Sequence, residues 1–591
     1  MFKEYYKKEL NLLRETAHQF AADNPSLATL LKEPSSDPDT ERLLEGFAFL
    51  TANIHRELDE HFPNFLYSLA QVVCPDYLRP VPSISIVGFE PKVNLQQRIT
   101  VKKGTFLDSK PVLTEAMAYE NKRAEICRFS TSFDVDVLPI KLANVQYLQE
   151  EAASEEGQRV RIQLDFKVLN VGLANLKFDK LRFYLGGHYN DSADLYYWLT
   201  RFLTSVELKG IGKRQSTQLP AGSLTPFGFD AKHSLLPRSK IETPAFCLLQ
   251  EYFLFPGKYL YIDLDLSTWR ERGDGDSFSL VFHGDAPEFA LPRLTKESFT
   301  LFATPAVNLF PVDADPVLVE HKNHKIRLSA RNENGSDLPI YSVTKVESIA
   351  RGRDGRRRFL PMDQFNIQQG NQARYMMSFK PSENSDYMGL YLDLSFPESE
   401  PLGDREVLKA EVLGFNSKLA TALQPGDICQ PTSNTPELVS FKNFTVPTKG
   451  TKPLLETEVL WHLLSDLSLN YLSLANADTV KTLLSHYMPP DDKDESRYIM
   501  NMKKIDAIYE IEAEPQETLY RQSFIRGQRI RVLLRSDHFS GDGDKYLFGC
   551  LLDNLFASSA GLNTFTQLVI EDLVSGAKLE WPIRLGLKSL I

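Results

Sequence analysis

The stretch Arg159-Val160-Arg161-Ile162-Gln163-Leu164-Asp165-Phe166-Lys167-Val168 alternates polar and apolar residues without a break. Successive side chains of an extended chain point to opposite faces. Val160, Ile162, Leu164, Phe166 and Val168 therefore share one face, and Arg159, Arg161, Gln163, Asp165 and Lys167 the other. This period of two predicts a strand with one dry and one wet face, the pattern of an antiparallel sheet. Residues 259–266 repeat it, with Leu260, Ile262, Leu264 and Leu266 set against Tyr259, Tyr261, Asp263 and Asp265. Short segments of this kind, separated by Gly, Pro and Asp turns, fill the chain from Ser83 to about residue 445. They predict two consecutive, mainly antiparallel β domains.

On the N-terminal side the period becomes helical. Phe2, Tyr6, Leu10, Leu13, Ala17 and Phe20 recur every three or four residues until Asn24-Pro25. A second helix starts after Asp37-Pro38-Asp39, with Leu43, Leu44, Phe47, Leu50, Ile54 and Leu58 as its stripe. Pro63 is expected to close it and to open a third, shorter helix through Phe65, Leu66, Leu69 and Val73. Pro75, Pro80 and Pro82 then stop helical structure.

On the C-terminal side Val459, Leu460, Leu463, Leu464 and Leu467 share a helical face in a run reaching Leu474. Asn476-Ala477-Asp478 caps a further helix, and Asp491-Asp492-Lys493-Asp494-Glu495 reads as an exposed loop. Strands are expected through Ile505, Ala507, Tyr509 and Ile511, and through Ile530, Val532 and Leu534. A helix is expected near 547–560, and a last strand pair at 566–583 turned at Gly576. The fold class is thus α+β and multidomain. Residues 1–82 form an N-terminal helical segment, 83–303 and 304–450 the two β domains, and 451–591 a C-terminal α+β domain. A chain of 591 residues has room for about three to five domains.

Composition narrows the function classes. The formal net charge is −11, so the overall field does not favour nucleic acid or an anionic membrane surface. The five cysteines, Cys74, Cys127, Cys247, Cys429 and Cys550, lie far apart and form no CxxC pair. Reduced thiols in a cytoplasmic protein are expected, not a zinc ribbon or a disulfide framework. The charged N-terminus does not resemble a signal peptide, and no apolar run approaches a transmembrane span. Any membrane association is expected to go through partners.

Motifs for chemistry are sparse. Gly273-Asp274-Gly275-Asp276 and Gly541-Asp542-Gly543-Asp544 suggest calcium only superficially. Neither continues into an EF-hand loop, and Asp-Gly favours tight turns. His321 and His324 lack the further ligands that zinc needs. Ser536-Asp537-His538 contains the residue types of a hydrolase triad but no nucleophile elbow. P-loop and dinucleotide fingerprints are absent. Arg351, Arg353, Arg356, Arg357 and Arg358 form a basic cluster, read first as a charged hairpin tip and second as a contact for an acidic protein. The N-terminal stripe, starting at residue 2, suits either its own domain or a bundle with another chain.

Several segments, in order along nearly the whole chain, resemble the TssF (VasA/ImpG) family of type VI secretion systems. They begin with Tyr5-Tyr6-Lys7-Lys8-Glu9-Leu10, then Glu41-Arg42-Leu43-Leu44-Glu45-Gly46-Phe47-Ala48-Phe49-Leu50-Thr51-Ala52, and Leu78-Arg79-Pro80-Val81-Pro82-Ser83. Glu251-Tyr252-Phe253, Phe255-Pro256-Gly257-Lys258-Tyr259 and Thr304-Pro305-Ala306-Val307-Asn308-Leu309-Phe310 continue the series. Leu467-Ser468-Leu469-Asn470-Tyr471-Leu472-Ser473-Leu474, Asp537-His538-Phe539, Leu547-Phe548-Gly549, Asn563-Thr564-Phe565-Thr566-Gln567-Leu568 and Trp581-Pro582-Ile583-Arg584 complete it.

The resemblance implies a structural wedge subunit of the baseplate, not an enzyme, with no cofactor or metal. It implies two TssF-like chains per TssG, contact with TssK, neighbouring TssE and wedges, and a VgrG spike hub at the centre. It also implies a cytoplasmic location, docked at the inner membrane through partners. Phe2, Tyr6, Leu13 and Phe20 are the expected partner-facing residues. The alternatives are a wedge of another contractile phage-like device, or a hydrolase with a scattered site including Asp537 and His538.

Overall fold

The computed structural model describes residues 2–23, 38–73, 75–113, 117, 123–148, 159–210, 216–238, 244–270, 272–273, 275–319, 325–350, 356–362, 372–380, 387–396, 406–452, 475–488, 495–520 and 523–586. The predicted helical face around Val459–Leu467, His321 with His324, Arg351 with Arg353, and the acidic stretch at 491–494 lie outside them. The chain divides into two compact units. One comprises Met1–Val73 with Leu455–Trp461, the other Cys74–Leu454 with His462–Ile591.

The first unit contains helix α1 (Phe2–Asp23) packed on helix α2 (Pro38–Val73). The expected break at Pro63 does not occur. A proline lacks only its own amide donor and crowds one turn, a cost that a long helix with many other ladder bonds can carry.

In the second unit the strand at Arg159–Val168 forms as expected, with Ile162, Leu164, Phe166 and Val168 buried. It sits in a five-stranded antiparallel sheet between Ile140–Leu148 and Ser277–Asp285. The strand Tyr261–Asp265 departs from its expected wet face. Tyr261 and Asp263 are both buried, and Asp263 is held by Lys180 (3.0 Å) and Arg182 (2.6 Å). A six-stranded sheet gathers Ile84–Pro91, Phe106–Ser109, Arg128–Thr131, Ala303–Val307, Ile428–Pro431 and Val439–Asn443. The division expected at 303/304 falls inside this sheet, because Ile84–Pro91 pairs with Ala303–Val307 on one side and Val439–Asn443 on the other.

Helices α3 (Tyr189–Arg201) and α4 (Pro244–Leu254) interrupt the β-rich middle, and were not foreseen. The centre of α3, Leu195-Tyr196-Tyr197-Trp198-Leu199, is a continuous buried apolar run, which period alone does not tell from a buried strand.

Helices α5 (Ala477–His486) and α6 (Glu495–Asp506) precede the C-terminal sheet. Asn476 caps α5 through its side chain, as expected. Ile505 belongs to the last turn of α6, not to a strand; the strand begins at Ile508. That sheet runs Ile508–Tyr520, Ser523–Leu534, Thr564–Asp572 and Lys578–Glu580, with Arg584–Leu585 also on Thr564–Asp572. The second and third strands are parallel and are connected through helix α7 (Asp542–Ser559). Gly576, at φ 71°, turns the last pair.

Candidate interaction site

The α1–α2 pair is the candidate interface, and its seam is made of small residues. Ala48, Ala52 and His55 follow one another at spacings of four and three on α2. His55 Nδ1 meets the buried Glu9 carboxylate of α1 at 2.7 Å. Ala48 and Ala52 are fully buried, and so are Leu66 and Ala70 further along the same stripe. The large residues Leu43, Phe47, Leu50 and Ile54, spaced four, three and four, lie one residue round the helix. They remain open to solvent, at 75%, 58%, 62% and 56% exposure. Leu12 of α1 is also exposed. Of the residues expected to face a partner, Tyr6 and Leu13 are half-buried on α1. The side chains of Phe2 and Phe20 lie outside the described residues.

The chemistry candidates are absorbed into structure. Asp537 binds Arg535 (2.8 Å), and the His538 ring donates from Nδ1 to the Lys503 carbonyl (2.9 Å), so no Ser–His–Asp relay forms there. Gly541-Asp542-Gly543-Asp544 starts α7 and is not a hairpin turn before a strand. At Gly543 a Cβ would come within about 2.2 Å of the Ala193 backbone, so only glycine lets α7 cross α3 here. Asp544 accepts from Lys504 (2.6 Å) and from the Tyr189 hydroxyl (2.8 Å). Among the described residues no group of three or more His, Cys, Asp or Glu could hold a metal ion. Arg357 of the basic cluster is turned inward onto the buried Glu406 (2.8 Å), while Arg356 faces Glu347.

Two buried carboxyls held by cations, Glu251 and Asp553, respond to burial in opposite ways. Lys258 and Glu251, both essentially inaccessible, bond each other; Glu251 also accepts from Ser234 Oγ (2.7 Å), the Leu235 N–H (2.9 Å) and Arg238 (3.3 Å). Burial pushes the Glu251 carboxyl up, but Lys258 and Arg238 outweigh it and hold it at about 2. Burial pushes Lys258 down against the pull of Glu251. With its several donors, the carboxylate is the firmer ion of the two.

Asp553 on α7 is bonded by Arg584, yet burial wins and raises its carboxyl to about 6. A carboxyl raised in the fold takes up a proton there before it does in the unfolded chain. This group therefore adds stability as pH falls from about 6 to about 4 and subtracts it as pH rises. Asp553→Asn is expected to remove roughly 3 kcal/mol of that pH dependence. Urea unfolding at pH 4 and pH 7, compared with the parent chain, measures it. An unchanged difference would refute the assignment.

Several resembling segments meet in this fold. Gly549 lies against the Trp581 ring, closer than any Cβ would allow, and Trp581 Nε1 donates to Cys550 Sγ (3.4 Å). The family model for "Type VI secretion system, TssF" matches residues 1–588. This chain belongs to the TssF family. It is thus a component of the type VI secretion system. A Pseudomonas aeruginosa relative, "Type VI secretion system component TssF1", is 25% identical, the match covering 99% of this chain and 98% of the relative. A chain from the cryo-electron microscopy structure of the TssK-TssF-TssG baseplate subcomplex superposes with TM-score 0.76 at 24% identity, covering 92% of this chain and 98% of that one. A chain of the type VI baseplate complex gives TM-score 0.58 at 20% identity over the full length of both. No helix among the described residues of this TssF-family chain is long and apolar enough to cross a membrane.

Proposed function

We propose that this TssF-family chain is a non-catalytic wedge subunit that assembles with a TssG chain and with TssK. Two copies serve each TssG, with TssE, neighbouring wedges and the VgrG spike hub alongside. The wedge works in the cytoplasm and reaches the inner membrane only through its partners. The observation that carries the proposal is the exposed row Leu43, Phe47, Leu50 and Ile54 on α2. A small-residue seam pairs α1 with α2 and leaves that row for another chain, as in helix-to-helix recognition. The likeness of this fold to a chain of a TssK-TssF-TssG baseplate subcomplex supports the same partners.

Phe2, Tyr6, Leu13 and Phe20 extend the interface onto α1. Co-expression with the neighbouring TssG-like chain, followed by complex mass, tests the proposal; a two-to-one mass is expected. Leu13→Glu is expected to abolish co-purification while the isolated chain stays folded. A complex that survives Leu13→Glu would remove α1 from the interface, and absence of any complex with the parent chain would overturn the wedge assignment.

A further inference from the structure

The C-terminal sheet carries an unfinished row of alternating charge. Lys578 pairs with Glu571, Glu571 with Arg531 (2.5 Å) and Arg531 with Glu512 (2.9 Å). The signs alternate across four strands and end on the outermost, Ile508–Tyr520. Beside it Arg529 reaches Glu580 (3.7 Å) and lies in register opposite Glu514. Glu510, Glu512 and Glu514 alternate along the outer strand, so they share one face at spacings of about 7 Å.

That strand has four glutamates and no Lys or Arg. Glu510 and Glu514 are exposed, and neither has an ion-pair partner among the described residues. The outward N–H and C=O groups of residues 509–514 have no backbone partner among the described residues either. Pro515 ends the usable edge, since it has no donor.

We propose that the open edge at residues 509–514 docks an extended basic segment of another protein. That segment adds as one more strand, with Lys or Arg facing Glu510, Glu512 and Glu514. Backbone bonding supplies affinity, and the continued charge row selects the partner. A second copy offering the same strand would set glutamate against glutamate, so the edge disfavours pairing with itself.

The full-length chain is titrated with a short labelled peptide alternating lysine and valine, and with a glutamate–valine counterpart. Amide exchange is read at residues 509–514. The lysine peptide is expected to bind and to slow exchange there, and the glutamate peptide to do neither. The double substitution Glu510→Lys, Glu514→Lys is expected to weaken binding at least about tenfold, and both positions are exposed enough to keep the fold. Lack of binding, protection elsewhere on the chain, or undiminished binding by the double variant would each overturn the proposal. So would protection of 509–514 that grows with protein concentration in the absence of peptide.

Discussion

Lys258→Met is expected to destabilise the second unit by about 3–5 kcal/mol, the usual cost of leaving one member of a buried ion pair alone. Methionine fills the space of the lysine's aliphatic stem and lacks the ammonium. Glu251 then stays buried, with Ser234, Leu235 and Arg238 as its remaining donors. Urea unfolding gives the size of the loss. Adding Glu251→Gln to Lys258→Met removes the stranded charge and is expected to recover a large part of it. A double variant no more stable than the single one would refute this account.

The pH dependence has a definite sign. A carboxyl held at about 2, below its ordinary value, contributes stability above roughly pH 4.5 and loses it as pH falls towards 2. In Lys258→Met the Glu251 pKa rises, so the acid-side loss of stability becomes shallower.

The second large effect concerns assembly. Replacing Phe47 and Leu50 together by glutamate is expected to leave the isolated chain within about 0.5 kcal/mol of the parent, because both side chains are exposed. Two central apolar anchors of an interface each contribute about 2 kcal/mol or more, so affinity for the TssG-like chain should fall about a thousandfold or beyond. Calorimetric titration of the purified partners measures it. Ala52→Leu provides the contrast. It overpacks the α1–α2 seam at a cost of about 1–3 kcal/mol to the fold itself. Intact binding by the Phe47, Leu50 double variant would take α2 out of the interface.

The strand at Arg159–Val168 was legible because one face is wet, so alternation shows in the residue types. The helix α3 was not, because its apolar run Leu195–Leu199 is short enough to read as a buried strand between its neighbours. Ile505 fell on the wrong side of a boundary because α6 passes into the strand within two residues, and both elements bury apolar side chains. The α2 stripe was found, but its role was not decided by period alone. A helical repeat locates Leu43, Phe47, Leu50 and Ile54 on one line, whereas only packing tells that Ala48 and Ala52 make the seam. The buried Glu251 and Lys258 were visible as part of a family segment; their pairing depends on a turn of chain that no local pattern encodes. The charge row from Lys578 to Glu512 needs strand order and register, which arise from long-range pairing.

The six-stranded sheet has a consequence for how the polypeptide is made. Ile84–Pro91 must wait for Ala303–Val307 on one edge and for Val439–Asn443 on the other. At ribosomal speeds of about 5–20 residues per second, its second neighbour emerges roughly 20–70 s after the strand itself. During that interval Ile84, Ile86 and Val87, all fully buried at the end, have no completed sheet to enter. The nascent chain thus spends more than half of its synthesis with at least one edge of this strand open. A fragment that contains Ile84–Pro91 but ends before Asn443 is expected to aggregate, which its soluble yield beside that of the full chain measures.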